Sequence, residues 1–286
     1  MKVQGDLNAQ MAQHAPMVED RLEIQFIDIA ALEANKASLR QQFSSAEPYQ
    51  YVVIDGFLTE FGLNSLDVEQ LNTVPSTDQL SSDYLFAKNK IENPKLGQIS
   101  RALEQLSLEL RSRAFVRILQ EICGMDVFLD PNFAGGGLHQ GGAGSFLEMH
   151  ADFSRHPKNR EWIRELNLLL YLNRGWQKSW GGELKLVDAN SRKKALVEPL
   201  ENRMVIMLSK EHTLHGYDPI TFPQGRLRTS VAAYAYRMDD GTSDVPYRST
   251  VWQPTDLRKR MLAVLWNKLV PLKQRVFGSR TARRAE

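Results

Sequence analysis

The sequence predicts a mainly β protein with flanking helices, an α+β chain whose core is an antiparallel barrel or double-sheet jelly roll. Three observations carry this reading. Glycines (Gly135-Gly136-Gly137, Gly141-Gly142, Gly181-Gly182, Gly225) punctuate the chain beyond residue 124. Between them lie short apolar segments at 145–149, 166–172, 183–187, 204–208 and 230–236, the cadence of strands joined by tight turns. Ahead of them, 96–123 repeats Leu, Glu, Arg and Ile at helical spacing, which predicts two helices packed on that core.

The elements follow in order. Residues 1–20 read as a loose polar leader with no apolar stretch, so no secretion signal is expected. Residues 22–29 alternate as a strand would, and 30–43 read as a helix. A short strand at 51–54 is stopped by Asp55-Gly56, and 76–93 look polar and irregular. The expected division is a support region over 1–125, a jelly-roll core over 126–240 and a basic amphipathic tail over 241–286.

The composition, 42% hydrophobic and 24% charged over 286 residues, is that of a chain with a packed core. The single cysteine, Cys123, excludes an internal disulfide framework and sits in an apolar run, where it reads as a core residue. This fits a reducing, cytoplasmic setting. No run of about 18 apolar residues occurs, so no spanning helix is expected. Charge is unevenly placed. From residue 257 onward there are nine Lys/Arg and one acid, leaving 27 basic and 33 acidic residues elsewhere. In that tail Leu262, Leu265, Trp266 and Leu269 share one helical face, and Pro271 is expected to break or kink the helix. A basic amphipathic helix reads as a peripheral contact at the inner face of a membrane, as a site for an acidic partner, or as a terminal helix packed on the domain with its bases in water. No aromatic-interleaved basic groove accompanies the charge, so no nucleic-acid partner is expected.

The chemistry starts from His150 and Asp152, separated by one residue. On a strand, positions i and i+2 share a face, so an imidazole and a carboxylate can meet one metal. A third ligand must come from another strand. His215 is preferred to His212, because Gly216 follows it and it stands thirteen residues before Arg228. The two histidines face opposite ways on an extended strand. Two imidazoles and one carboxylate leave open coordination positions suited to Fe(II) and oxygen. Arg228 and Ser230 share one face of the strand that follows, and a guanidinium beside a hydroxyl suits a distal carboxylate. Arg226 has the same parity and stays an alternative. Tyr171, flanked by leucines, points into the barrel and needs a polar partner.

These residues resemble the prolyl-4-hydroxylase-like branch of the 2-oxoglutarate/Fe(II) oxygenases. The resemblance runs from about Gly135 to Arg237: His150-Ala151-Asp152, then Leu170-Tyr171-Leu172-Asn173 with Trp176, Gly181-Gly182-Glu183-Leu184, Arg203-Met204-Val205-Ile206, His215-Gly216 and Arg228. The segment Tyr51-Val52-Val53-Ile54-Asp55-Gly56-Phe57-Leu58 is also similar to the first strand of many bacterial members. The resemblance implies a double-stranded β-helix (jelly roll, cupin-like) with a helical buttress. It implies Fe(II) on His150, Asp152 and His215, and 2-oxoglutarate as cosubstrate on Arg228 and Tyr171, with O2 as oxidant and ascorbate as reductant. It further implies Gln140 and Asn167 as polar cosubstrate contacts. Retention of Asp152, where halogenating relatives carry a small residue, implies hydroxylation. Members of the branch act on peptidyl proline, free amino acids, natural products, sugars or glycolipids, and the basic tail favours a surface glycolipid. Two other classes remain open: a zinc hydrolase using the same ligands, and a non-enzymatic jelly-roll binding module.

Overall fold

The computed structural model describes residues 24–76, 85–254 and 256–277. The polar leader, part of the irregular stretch and the end of the tail lie outside the described residues. In chain order the elements are α1 (Ile29–Ser45), β1 (Tyr51–Asp55), α2 (Glu60–Ser65), α3 (Val68–Thr73), β2 (Ala87–Asn93), α4 (Leu96–Ile99), α5 (Arg101–Leu110) and α6 (Arg113–Cys123). Then come β3 (Phe128–Leu129), β4 (Gly137–Ala151), β5 (Trp162–Tyr171), β6 (Leu184–Asp188), β7 (Lys194–Val197), β8 (Arg203–Leu208), β9 (Thr213–Tyr217), β10 (Arg228–Met238), β11 (Val251–Trp252) and α7 (Leu257–Phe277).

All strand pairings are antiparallel, in the order β1-β8-β5-β10-β4-β9-β6-β7, with β2 and β11 added to β4 and β3 to β10. This is the jelly-roll architecture that the glycine-punctuated segments predict.

Strand parity decides which side chains meet the helices and which meet the interior. On β5, Leu166, Leu168 and Leu170 pack with Met204 and Ile206 of β8 and with Leu106, Leu110, Phe115, Ile118 and Leu119 of the helices. The alternate positions Asn167, Leu169 and Tyr171 face a cavity inside the roll. Both faces of β5 are therefore buried, so its sequence reads as a nearly continuous apolar run rather than a clean alternation. The helical buttress shares this core. It is pinned at its N-terminal side by Glu109 of α5, whose buried carboxylate accepts the backbone N–H groups of Gln25, Phe26 and Ile27 at 2.9–3.1 Å.

Several local expectations change. The segment expected as a strand at 22–29 contributes, among its described residues, only the Ile27–Leu58 bridge, because Asp28 caps α1 by accepting the Ala31 N–H at 2.9 Å. The supposedly irregular stretch contains β2, whose alternation is hidden because Ala87 and Ile91 are buried while Lys90 and Glu92 line the polar cavity. Gly137 and Gly141 lie within β4 rather than in turns. A Cβ on Gly137 would stand 2.2 Å from the Asn93 carbonyl of β2, so glycine here permits close strand approach. Helix α7 continues through Pro271 to Phe277.

Candidate active site

His150 stands near the end of β4 and Asp152 just past it, while β9 runs alongside with His215 directly opposite His150 in register. That register depends on the residue after the ligand: a Cβ at Gly216 would lie 2.5 Å from the Leu147 carbonyl oxygen. The strands can approach there only if position 216 has no side chain. The result is a compact constellation. His150 Nε2 lies 3.5 Å from Asp152 Oδ1 and His215 Nε2 lies 3.4 Å from Asp152 Oδ2, with the three prospective ligand atoms within 4.8 Å of one another.

The protonation states suit a metal. The His150 Nδ1 donates to the Glu148 carbonyl at 2.9 Å, which fixes the ring with Nε2 turned toward the other two side chains. Burial, with His150 alongside, lowers the His215 pKa to about 3, so this imidazole is neutral near neutrality. Burial alone would raise the Asp152 carboxyl. Arg164, His215 and His150 nevertheless hold it well below the usual carboxylate range. Two imidazoles and one carboxylate form the donor set expected for Fe(II), and these residues could hold it.

About one strand away, Arg228 is 7% exposed. Its Nε donates to the Gly182 carbonyl at 2.9 Å, its Nη2 to the Tyr171 hydroxyl at 3.3 Å, and its guanidinium lies 4.2 Å from the centroid of the Tyr217 ring. Among the described residues no carboxylate stands within ion-pair distance of it. A buried cation without an anion is costly, and a dianionic cosubstrate with a distal carboxylate fits the need. Arg226 points elsewhere, toward the Arg174 carbonyl and Glu69, so parity alone did not separate the two arginines but their surroundings do. His212 lies before β9, 37% exposed at its side chain and 3.7 Å from Asp188.

The sequence model of the 2OG-Fe(II) oxygenase superfamily matches residues 136–236. That segment of the chain belongs to this superfamily. The oxygenase is similar in fold to a prolyl 4-hydroxylase of Phytophthora capsici, at 21% identity and a TM-score of 0.51, with 79% of this chain and 70% of that one covered. A Pseudomonas putida prolyl-4-hydroxylase is 20% identical with a TM-score of 0.46, covering 71% of this chain and 98% of that one. The epimerase SnoN from nogalamycin biosynthesis, solved with Fe3+, alpha ketoglutarate and nogalamycin RO, is 15% identical with a TM-score of 0.45, covering 82% and 90%. No curated protein sequence matches the oxygenase.

His150, Asp152, His215, Arg228, Tyr171, Ser230, Gln140 and Asn167 all line one cavity of about 200 Å³. Two of them have surroundings that differ from the resemblance-based expectation. The Gln140 amide is fully engaged by backbone, donating to the carbonyls of Leu71 and Val74 at 2.8 and 3.0 Å and accepting from the Ser76 N–H at 2.7 Å. It ties the end of α3 to β4 and has no donor left for a cosubstrate. Asn167 donates to Asp152 Oδ2 at 2.7 Å, so it orients the carboxylate of the cluster.

Two further residues of the oxygenase escaped the sequence reading. Arg164, 1% exposed, is sandwiched between Tyr234 and Phe153, its guanidinium carbon 3.3 and 4.2 Å from their ring centroids, and its Nη1 lies 3.6 Å from Asp152 Oδ1. The available signal was the charged pair Arg164-Glu165 inside a strand that is otherwise apolar but for Asn167 and Tyr171. Trp252 of β11 pairs with His150 across β4, its ring 4.8 Å from the imidazole. Phe86 stacks on the same indole at 5.0 Å. Nothing in the local sequence of Trp252 announces a place beside His150.

Proposed function

We propose that this 2-oxoglutarate-dependent dioxygenase hydroxylates an unactivated C–H bond, with iron on His150, Asp152 and His215 and the 5-carboxylate of 2-oxoglutarate on Arg228 and Tyr171. The observation that carries the reading is the pairing, in one cavity, of a two-imidazole, one-carboxylate cluster with a buried arginine that has no carboxylate partner among the described residues. A zinc hydrolase or a bare binding module has no use for that arginine.

Bound iron would supply the redox chemistry: 2-oxoglutarate, O2 and R–H give succinate, CO2 and R–OH. The chain's own residues orient and exclude. Arg228, braced by Gly182 and sharing the Tyr171 phenol, would set the long axis of the cosubstrate toward the triad, a proximity effect. Ser230, buried beside them, offers a hydroxyl on the same face. Asp152 is kept anionic by Arg164 and aligned by Asn167. Phe153, Tyr234 and Trp252 also line the cavity, together with Thr250, Lys90 and Glu92. Aromatic walls with interspersed polar groups support a polyhydroxylated ring, such as the sugar of a glycolipid, as substrate.

The test is succinate release from 2-oxoglutarate by the protein reconstituted anaerobically with Fe(II) and then exposed to O2. Wild type should release succinate, and Asp152→Ala and His215→Ala should not. Turnover in those variants, or hydrolysis supported by zinc, would overturn the reading.

A further inference from the structure

Helix α7 sits on the body with its apolar side chains turned away from it. The seam toward the domain is narrow and mixed, with Ala263 set against Phe86 and Trp252 and flanked by polar contacts. Ala263 is 2% exposed, Asn267 exchanges hydrogen bonds with the Trp252 backbone at 3.1 and 3.0 Å, and Lys259 pairs with Glu148. Trp266 meets the edge of Phe86 but stays 41% exposed. The large aliphatic residues face outward: Met261 is 72% exposed, Leu262 49%, Val264 58%, Leu265 56% and Leu269 53%. At 3.6 residues per turn, these five occupy the arc opposite the line Lys259, Ala263, Asn267.

A surface helix of a globular domain buries its apolar stripe and shows its polar face to water. This one does the reverse, so the reading of a terminal helix packed on the core with only a solvated basic face does not describe it. A run of exposed aliphatic side chains this long marks a contact surface. Its charge names the contact. Arg258 and Arg260 are exposed in the first turn, and the segment from residue 257 onward carries nine Lys/Arg against one Glu. Two copies of the helix face to face would set these bases against each other. A surface offering both acyl chains and phosphate headgroups satisfies both features at once.

We propose that α7 is an interfacial helix that seats the protein on an anionic lipid bilayer, aliphatic residues in the headgroup–acyl boundary and bases on phosphates. No helix among the described residues is long and apolar enough to cross a membrane, so the contact is one of lying on the surface. The proposal is independent of the chemistry assigned to the cavity.

The experiment is flotation of the full-length protein with vesicles of phosphatidylcholine alone or mixed equally with phosphatidylglycerol. The protein should float with the mixed vesicles, not with phosphatidylcholine alone, and high salt should release it. The variant combining Leu262→Glu, Leu265→Glu and Leu269→Glu, all at exposed positions, should lose at least tenfold in vesicle affinity while keeping its circular-dichroism spectrum and succinate release. Three results overturn the proposal: equal flotation with both vesicle types, undiminished flotation of the triple variant, or self-association that the triple variant abolishes while wild type ignores vesicles, which would make a second copy the occupant.

Discussion

Asn167 of β5 donates its side-chain amide to Asp152 Oδ2 at 2.7 Å. The only anionic member of the triad is thereby aimed by a neutral neighbour. Removing such an orienting hydrogen bond typically weakens a metal site by roughly 10- to 100-fold. Asn167→Ala should show that loss in anaerobic Fe(II) titration, with little change in 2-oxoglutarate affinity measured on the metal-loaded protein. An unchanged metal affinity would leave Asn167 free for the cosubstrate role that the resemblance implied.

Arg228 and Arg226 are two residues apart and differ completely in environment. Losing a charge-assisted hydrogen bond costs about 1.5–3 kcal/mol, which corresponds to roughly 10- to 150-fold in affinity. Arg228→Ala should therefore raise the apparent KM for 2-oxoglutarate by that factor, and Arg226→Ala should leave it alone. The opposite pattern, read from succinate initial rates, would reverse the assignment.

His139, in the cavity wall, is held at about 4 against an ordinary 6.5, by burial first and by Lys90 beside it second. The unfolded chain therefore takes up a proton near pH 6.5 that the folded chain refuses until about pH 4. Stability is fully present above the upper value and is lost as pH falls through this window. The urea midpoint of the metal-free protein should fall on acidification, and His139→Gln should flatten the fall. Parallel curves for the two proteins would remove His139 as a source.

Gly216→Ala inserts a methyl group 2.5 Å from a backbone oxygen of β4. Overpacking of this kind costs about 1–3 kcal/mol. Because the clash lies next to a ligand, the variant should lose Fe(II) affinity along with thermal stability. A stable Gly216→Ala protein with unchanged metal binding would show that the β4–β9 approach is looser than described.

Much of the site was legible because strand parity carries information over long distances. His150 and Asp152 at i and i+2, a histidine followed by a glycine, and an arginine opening an apolar strand each state which face a side chain takes. Chemistry supplied by separate segments was not legible. The partners of the Gln140 amide are backbone atoms of Leu71, Val74 and Ser76, and no local pattern at Gln140 reports them. Arg164 was hidden because its neutralising partners, Asp152 and two aromatic rings, arrive from other strands. In α7 the spacing of the leucines marked a stripe, but only the seam at Ala263 and Asn267 shows that the stripe faces outward.

Trp252 touches two things that do not touch each other. Its ring lies against His150, and its backbone is clasped by Asn267 of α7. One residue thus belongs to both the reaction chamber and the outer helix, and thermodynamic linkage makes any traffic through it reciprocal. If adsorption of α7 shifts this indole enough to change metal affinity by some factor, metal loading must change adsorption by the same factor. Residence on a surface and readiness for chemistry would then be two readings of a single equilibrium, measurable from either end.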